Sequence, residues 1–208
     1  MNQKPTHLDL ALSSELSYKR ATFMVHEVEV LIQKFERYQV VAFRGTEFSG
    51  LWSRGGFWDV LRDLRVWPVG YHGLRGHAGF LRGVRLIEKP LLEGLDRKLP
   101  VYVTGHSLGG GLAIPAARLL DRSGFVVAEL VTFGTPRCIS KGFEYFGHIS
   151  VTEYEFGNDI VPTLQFWTNR RHLDRTPIGR RRSLNWLWGR TWSDHDLSLY
   201  IGSLSGLG

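Results

Sequence analysis

The chain has 208 residues, 43% hydrophobic, 22% charged and 12% aromatic. That composition excludes a disordered polymer, and the length suits one domain with a well-buried core. The formal charge is +6, and no apolar run approaches the roughly 20 residues that a membrane-spanning helix needs.

Cys138 is the single cysteine, so no intrachain disulfide can form. The first residues lack the continuous apolar stretch of a signal peptide. A cytoplasmic setting is therefore expected, or delivery by a non-classical export route. In chain order, Leu8 to Tyr18 predicts a short helix. Phe23 to Ile32 predicts one strand, and Tyr38 to Phe43 a second, joined as a hairpin through the polar turn Gln33 to Arg37. Residues 47–76, rich in Gly, Arg and Trp, predict loop and short helix. From Phe80 a helical period runs through Leu81, Val84, Ile87, Leu91 and Leu95, with Pro90 expected to kink or break it. A buried strand over Val101 to Thr104 leads into a helix from Leu108 to Leu120. Phe125 to Phe133 and Ile149 to Phe156 predict two more strands, and Leu197 to Leu207 a final short helix. Strands alternating with helices imply an α/β fold with a mostly parallel central sheet, and the opening hairpin an antiparallel edge.

Gly105-His106-Ser107-Leu108-Gly109 matches Gly-x-Ser-x-Gly. The spacing alone is weak. Here it follows a predicted strand and opens a predicted helix, the setting in which a serine is presented on a sharp elbow as a nucleophile. Such a serine needs a base, and the base an orienting acid, in the chain order Ser, acid, His. Of the histidines beyond Ser107, His148 precedes the acid, and His172 sits among arginines whose field disfavours its protonation. His195 remains as the base. Asp159, just after the strand ending at Phe156, is the expected acid. Asp194 and Asp196 flank His195 too closely to reach its ring from behind with ease, yet neither is excluded.

These motifs, with several others, resemble the class 3 (fungal lipase-like) family of α/β-hydrolases. Val41-Ala42-Phe43-Arg44-Gly45-Thr46, Asp63-Leu64, His77-Ala78-Gly79-Phe80, Val103 to Gly110, Thr132-Phe133-Gly134-Thr135-Pro136-Arg137, Asn158-Asp159-Ile160-Val161-Pro162, and Asp194-His195 with Tyr200 occur in family order across about residues 38–201. The resemblance implies a catalytic triad of Ser107, Asp159 and His195, with an oxyanion hole from the N–H groups of Thr46 and Leu108. It implies structural roles for His77 and His106. It also places a lid at residues 47–61, where Phe48, Trp52, Phe57 and Trp58 lie among glycines. The expected activity is hydrolysis of carboxylic esters, as a triacylglycerol lipase or carboxylesterase, with no cofactor and no metal.

The positive charge is local. Between Thr163 and Ser193 seven arginines face one acid, Asp174, among Trp167, Trp186, Trp188 and Trp192. The segment has no counterpart in the family and reads as a basic, Trp-rich insertion within a single domain spanning 1–208. Interleaved Arg and Trp suit an anionic membrane surface, contacted through Arg170, Arg171, Arg180, Arg181 and Arg182. Nucleic acid is a weaker expectation. The segment motivates a second reading, a phospholipase on anionic lipids. The rival from another class is a non-catalytic lipid- or partner-binding module.

Overall fold

The computed structural model describes residues 4–45, 68–163, 172–179 and 192–206. Helix α1 (His7–Ser17) opens on a capping box. The Thr6 hydroxyl accepts from the Asp9 N–H at 3.2 Å, and the Asp9 carboxylate accepts from the Thr6 N–H at 2.8 Å. Where one strand was expected over residues 23–32 there are two, β1 (Phe23–Val25) and β2 (Val28–Lys34), paired antiparallel. His26, with φ 54°, turns the chain between them. Strand β3 (Gln39–Phe43) completes the hairpin.

Residues 68–77 also differ from expectation. They form an antiparallel hairpin of β4 (Pro68–Tyr71) and β5 (Leu74–His77) instead of loop and helix. The two residues between the strands, His72 and Gly73, both have positive φ, as tight two-residue hairpins require. Helix α2 (Ala78–Gly94) runs through Pro90 without ending there. The carbonyl that Pro90 cannot engage belongs to Leu86, a residue on the solvent side of the helix and 51% exposed.

Next come β6 (Val101–His106), helix α3 (Leu108–Arg122), β7 (Val127–Phe133), β8 (Ile139–Lys141) and β9 (Ser150–Phe156). Strand β10 (Arg175–Ile178) lies inside the basic segment, where no strand was expected, and pairs parallel with β9. Two buried acids of β9 hold it there. Glu155 pairs with Arg175, and Glu153 accepts from the N–H groups of Leu173 and Asp174. Helix α4 (Leu197–Ser205) closes the described chain.

Among the described residues the main sheet has seven strands in the order β1-β2-β3-β6-β7-β9-β10, parallel from β3 onward. A second sheet, β4-β5-β8, is antiparallel. The α/β architecture with an antiparallel edge is thus present. Strand pleating sends alternate residues to opposite faces. Val41, Phe43, Val101, Val103 and Leu130 pack with α2 and α3, while Val40, Tyr102, Val131 and Phe133 pack with α1 and α4. In such parallel sheets, sites gather at the carboxyl ends of the strands.

Candidate active site

Ser107 stands between the end of β6 and the start of α3 with φ 59° and ψ −127°. Positive φ is costly for a side-chain-bearing residue, and such strain persists only where neighbours enforce it. The Ser107 N–H is held by the Phe133 carbonyl at 2.9 Å, and the Ser107 carbonyl accepts from Gly110 N at 3.0 Å. Gly109 lets the first turn of α3 lie against the end of β3. A Cβ there would run into the Phe43 carbonyl oxygen and come within 2.9 Å of the Arg44 carbonyl carbon. Leu108 is the first residue of α3, so its N–H lies in the turn where no intrahelical carbonyl is in reach. Thr46, the other expected oxyanion residue, and the expected lid at 47–61 lie outside the described residues, as do Arg170, Arg171, Arg180, Arg181 and Arg182.

Asp159 and His195 are brought together from 36 positions apart, with His195 Nδ1 2.8 Å from Asp159 Oδ2. Both are buried. A carboxylate oxygen only accepts, so Nδ1 carries the hydrogen and Nε2 presents its lone pair, the tautomer of a general base. Asp159 accepts two further hydrogen bonds, from the Tyr200 hydroxyl to Oδ2 at 2.5 Å and from the Val161 N–H to Oδ1 at 2.9 Å. Gly134, at φ 57°, makes room for the pair. A Cβ there would stand 2.7 Å from Asp159 Oδ2 and 2.9 Å from His195 Nδ1. Burial first, then the negative charge of Asp159, pushes the Tyr200 phenol well above its usual range. It therefore stays protonated and remains a donor to the carboxylate.

The neighbouring acids are occupied differently. Asp194 is buried and accepts from the Asn158 N–H at 2.9 Å, which ties the turn before His195 to the loop carrying Asp159. Asp196 caps α4 by accepting from Ser198 N at 2.9 Å. His172 reaches the Pro162 carbonyl at 2.8 Å and borders Glu153. His148 sits at the surface on Asp121, and His77 caps α2 through Gly79 N. Tyr200 was visible in the sequence only as part of the last motif, with no indication of its partner. Nothing in the pattern flagged Tyr18, whose hydroxyl lies 2.9 Å from His106 Nδ1. Among the described residues no group of three His, Cys, Asp or Glu side chains is placed to hold a metal ion. Among them, too, no helix is long and apolar enough to cross a membrane.

A serine on a strained elbow after β6, with a carboxylate–imidazole pair drawn from the loop after β9 and the turn before α4, is an arrangement of the serine-hydrolase type. The family model for class 3 lipases matches residues 40–169, and the chain belongs to that family. A lipase from Caenorhabditis elegans is 29% identical over 131 residues, covering 60% of this chain and 37% of the relative. Lipase A of Sodiomyces alcalophilus is 33% identical over 106 residues, 47% of this chain and 25% of the relative. The toxin TseL of Vibrio cholerae is 31% identical over 120 residues, 53% of this chain and 18% of the relative. The chain thus spans 18–37% of the length of these curated relatives.

Among solved structures, the Rhizomucor miehei lipase–propeptide complex superposes with a TM-score of 0.64 at 20% identity. The match covers 86% of this chain and 67% of that one. The lipase of Rhizopus microsporus var. chinensis gives 0.64 at 21%, covering 84% and 70%. A triacylglycerol lipase described as having a serine-protease triad as its catalytic centre gives 0.54 at 25%, covering 68% and 57%. The fold is that of the fungal lipases.

Proposed function

We propose that this chain is a carboxylic ester hydrolase acting on lipid esters through an acyl-serine intermediate. The observation that carries the reading is the hydrogen-bonded His195–Asp159 pair at the sheet end where Ser107 occupies its positive-φ elbow. The family membership and the lipase relatives support it.

In this reading His195 Nε2 takes the Ser107 proton as Oγ attacks the acyl carbon. Asp159 holds Nδ1–H toward itself, keeps the ring in the basic tautomer and stabilises the imidazolium that forms. The negative oxygen of the tetrahedral intermediate falls to backbone N–H groups at Leu108 and Thr46, where one lost donor typically costs about 10²–10³ in turnover. His195 then returns the proton to the leaving alcohol. Water, activated by the same imidazole, releases the acid and restores Ser107.

Acylglycerols and short-chain acyl esters are the substrates this reading favours. The seven arginines among tryptophans favour a second one, a phospholipase that docks on anionic lipid. The test is a panel of p-nitrophenyl esters of increasing chain length, triacylglycerol emulsion and anionic phospholipid vesicles, run beside fluorophosphonate labelling. Ser107→Ala is expected to lose labelling and about 10⁴–10⁶ of turnover. Folded wild-type protein that neither labels at Ser107 nor hydrolyses any member of the panel would leave a binding module instead.

A further inference from the structure

The base of the triad is held by more than its acid. His106, one residue before the elbow, lies with its ring against that of His195, the centroids 4.6 Å apart and the planes inclined by 29°. His106 Nε2 is 2.9 Å from the backbone carbonyl of His195, and His106 Nδ1 is 2.9 Å from the Tyr18 hydroxyl. A carbonyl only accepts, so Nε2 carries the hydrogen. In a neutral ring Nδ1 then accepts from the Tyr18 O–H.

We propose that Tyr18 and His106 are a positioning pair that fixes the height and tilt of the His195 imidazole by gripping its backbone carbonyl and its ring face. This rests on the reading of His195 as the general base. Asp159 fixes one end of the residue, the side-chain Nδ1, and His106 fixes the other, the main-chain oxygen, while the stacked ring limits tilt. Misplacing a reacting group by about 1 Å can cost about 10²-fold in rate, so a second anchor matters. Burial, and the charge that His195 acquires, push His106 well below the usual histidine range, so it stays neutral beside the imidazolium formed in catalysis.

The fold explains why Tyr18 can reach. Ser14 Oγ lies 2.9 Å from Thr104 Oγ1, and Tyr18 meets His106. Four residues of helix advance about 6 Å and two residues of strand about 6.6 Å, so α1 is in register with β6 at both points. Tyr18, which caps the C-terminus of α1, also reaches the strand end that leads to the oxyanion position. Its hydroxyl occupies the place where any side chain on Gly45 would begin. Arg44, paired with Glu29 at 2.6 and 2.7 Å, lies 5.9 Å from the centre of its ring. Tyr18 lies outside the segment matched by the family model.

The experiment measures kcat and KM on a soluble short-chain ester, per active site titrated with fluorophosphonate, for wild type, His106→Phe, Tyr18→Phe and the double variant. Phenylalanine at 106 keeps a ring against His195 and removes the donor to its carbonyl. The expected result is a kcat about 10–100-fold lower for His106→Phe with KM within about twofold, and a smaller loss for Tyr18→Phe. The double variant should lose no more than His106→Phe alone, because Tyr18 acts through that ring. Losses that multiply in the double variant, or an unchanged kcat per titrated site in Tyr18→Phe, overturn the proposal. The second of these decides even if His106→Phe does not fold. Wild-type protein that neither labels nor turns over overturns the hydrolase reading and this inference together. Labelled, active wild type with unaffected variants overturns the inference alone.

Discussion

The face of the central sheet covered by α2 and α3 is sealed by aliphatic side chains such as Val84, Ile87, Leu91, Leu119 and Leu130. The face covered by α1 and α4 buries a smaller apolar cluster around Leu10, Phe133 and Tyr200, and threads polar groups through it. Ser14 meets Thr104, Tyr18 meets His106, and Tyr200 meets Asp159. Apolar contacts are strong in sum and indifferent to direction, whereas hydrogen bonds are weak in net energy and strict in geometry. The first face therefore supplies stability, and the second places Asp159 and His195. Substitutions on the two faces should separate these contributions.

The largest expected effect is at Asp159, the proposed acid. Asp159→Asn replaces an acceptor-only carboxylate with an amide that can present N–H to His195 Nδ1, favouring the wrong tautomer. Turnover should fall about 10⁴-fold. Near-full activity in Asp159→Asn together with its loss in Asp194→Asn would move the acid to Asp194.

Leu119→Ala tests the opposite face. The side chain is fully buried among the aliphatic core, so truncation should destabilise by about 2–5 kcal/mol. Turnover per titrated site at a temperature where the variant is folded should not change. A change there would mean that the two faces are coupled.

Tyr200→Phe lies between these extremes. It removes one hydrogen bond to a buried carboxylate, a contact that contributes about 1.5–3 kcal/mol, and retains the ring among Phe133, Phe156 and His106. Both the denaturation midpoint and kcat should drop. An effect on the midpoint alone would show that Val161 N–H and His195 suffice to orient Asp159.

Much of this arrangement was legible in the chain. Apolar, β-rich runs marked the parallel strands up to β9, a helical period marked α2 and an Ala- and Leu-rich run marked α3, because those elements meet a continuous core. Ser107 was legible because its elbow needs small residues at fixed offsets. Asp159 and His195 followed from strand ends and chain order, and the structure joins them. The hairpin over residues 68–77 was hidden, since its strands carry Pro, Gly, Arg and His with Val69 as their single β-branched residue. Its only local cue is the turn at His72-Gly73. Strand β10 was hidden by its charge, because the partner that allows Arg175 into the sheet, Glu155, lies 20 positions upstream. Pairings such as Tyr18–His106, 88 positions apart, leave no local pattern at all.

The smallest expected effect concerns acid stability, and it isolates one residue of the polar face. His106 is buried and neutral in the fold, held well below its ordinary value of 6.5 by burial and by His195. In the unfolded chain it takes up a proton below about that pH. The unfolded state then binds more protons than the folded one, so stability falls as pH falls through and below 6.5. One proton contributes a slope of at most about 1.4 kcal/mol per pH unit. The hydrogen bond to the His195 carbonyl acts the other way, favouring the charged ring, but burial outweighs it. Other groups add slopes of their own, so the quantity to measure is the difference between wild type and His106→Phe. Unfolding free energies at pH 7.5 and 5.5 should show wild type losing more stability on acidification than the variant, by about 1–1.4 kcal/mol. Equal losses would mean that His106 binds its proton alike in both states, and that burial beside His195 does not keep it neutral.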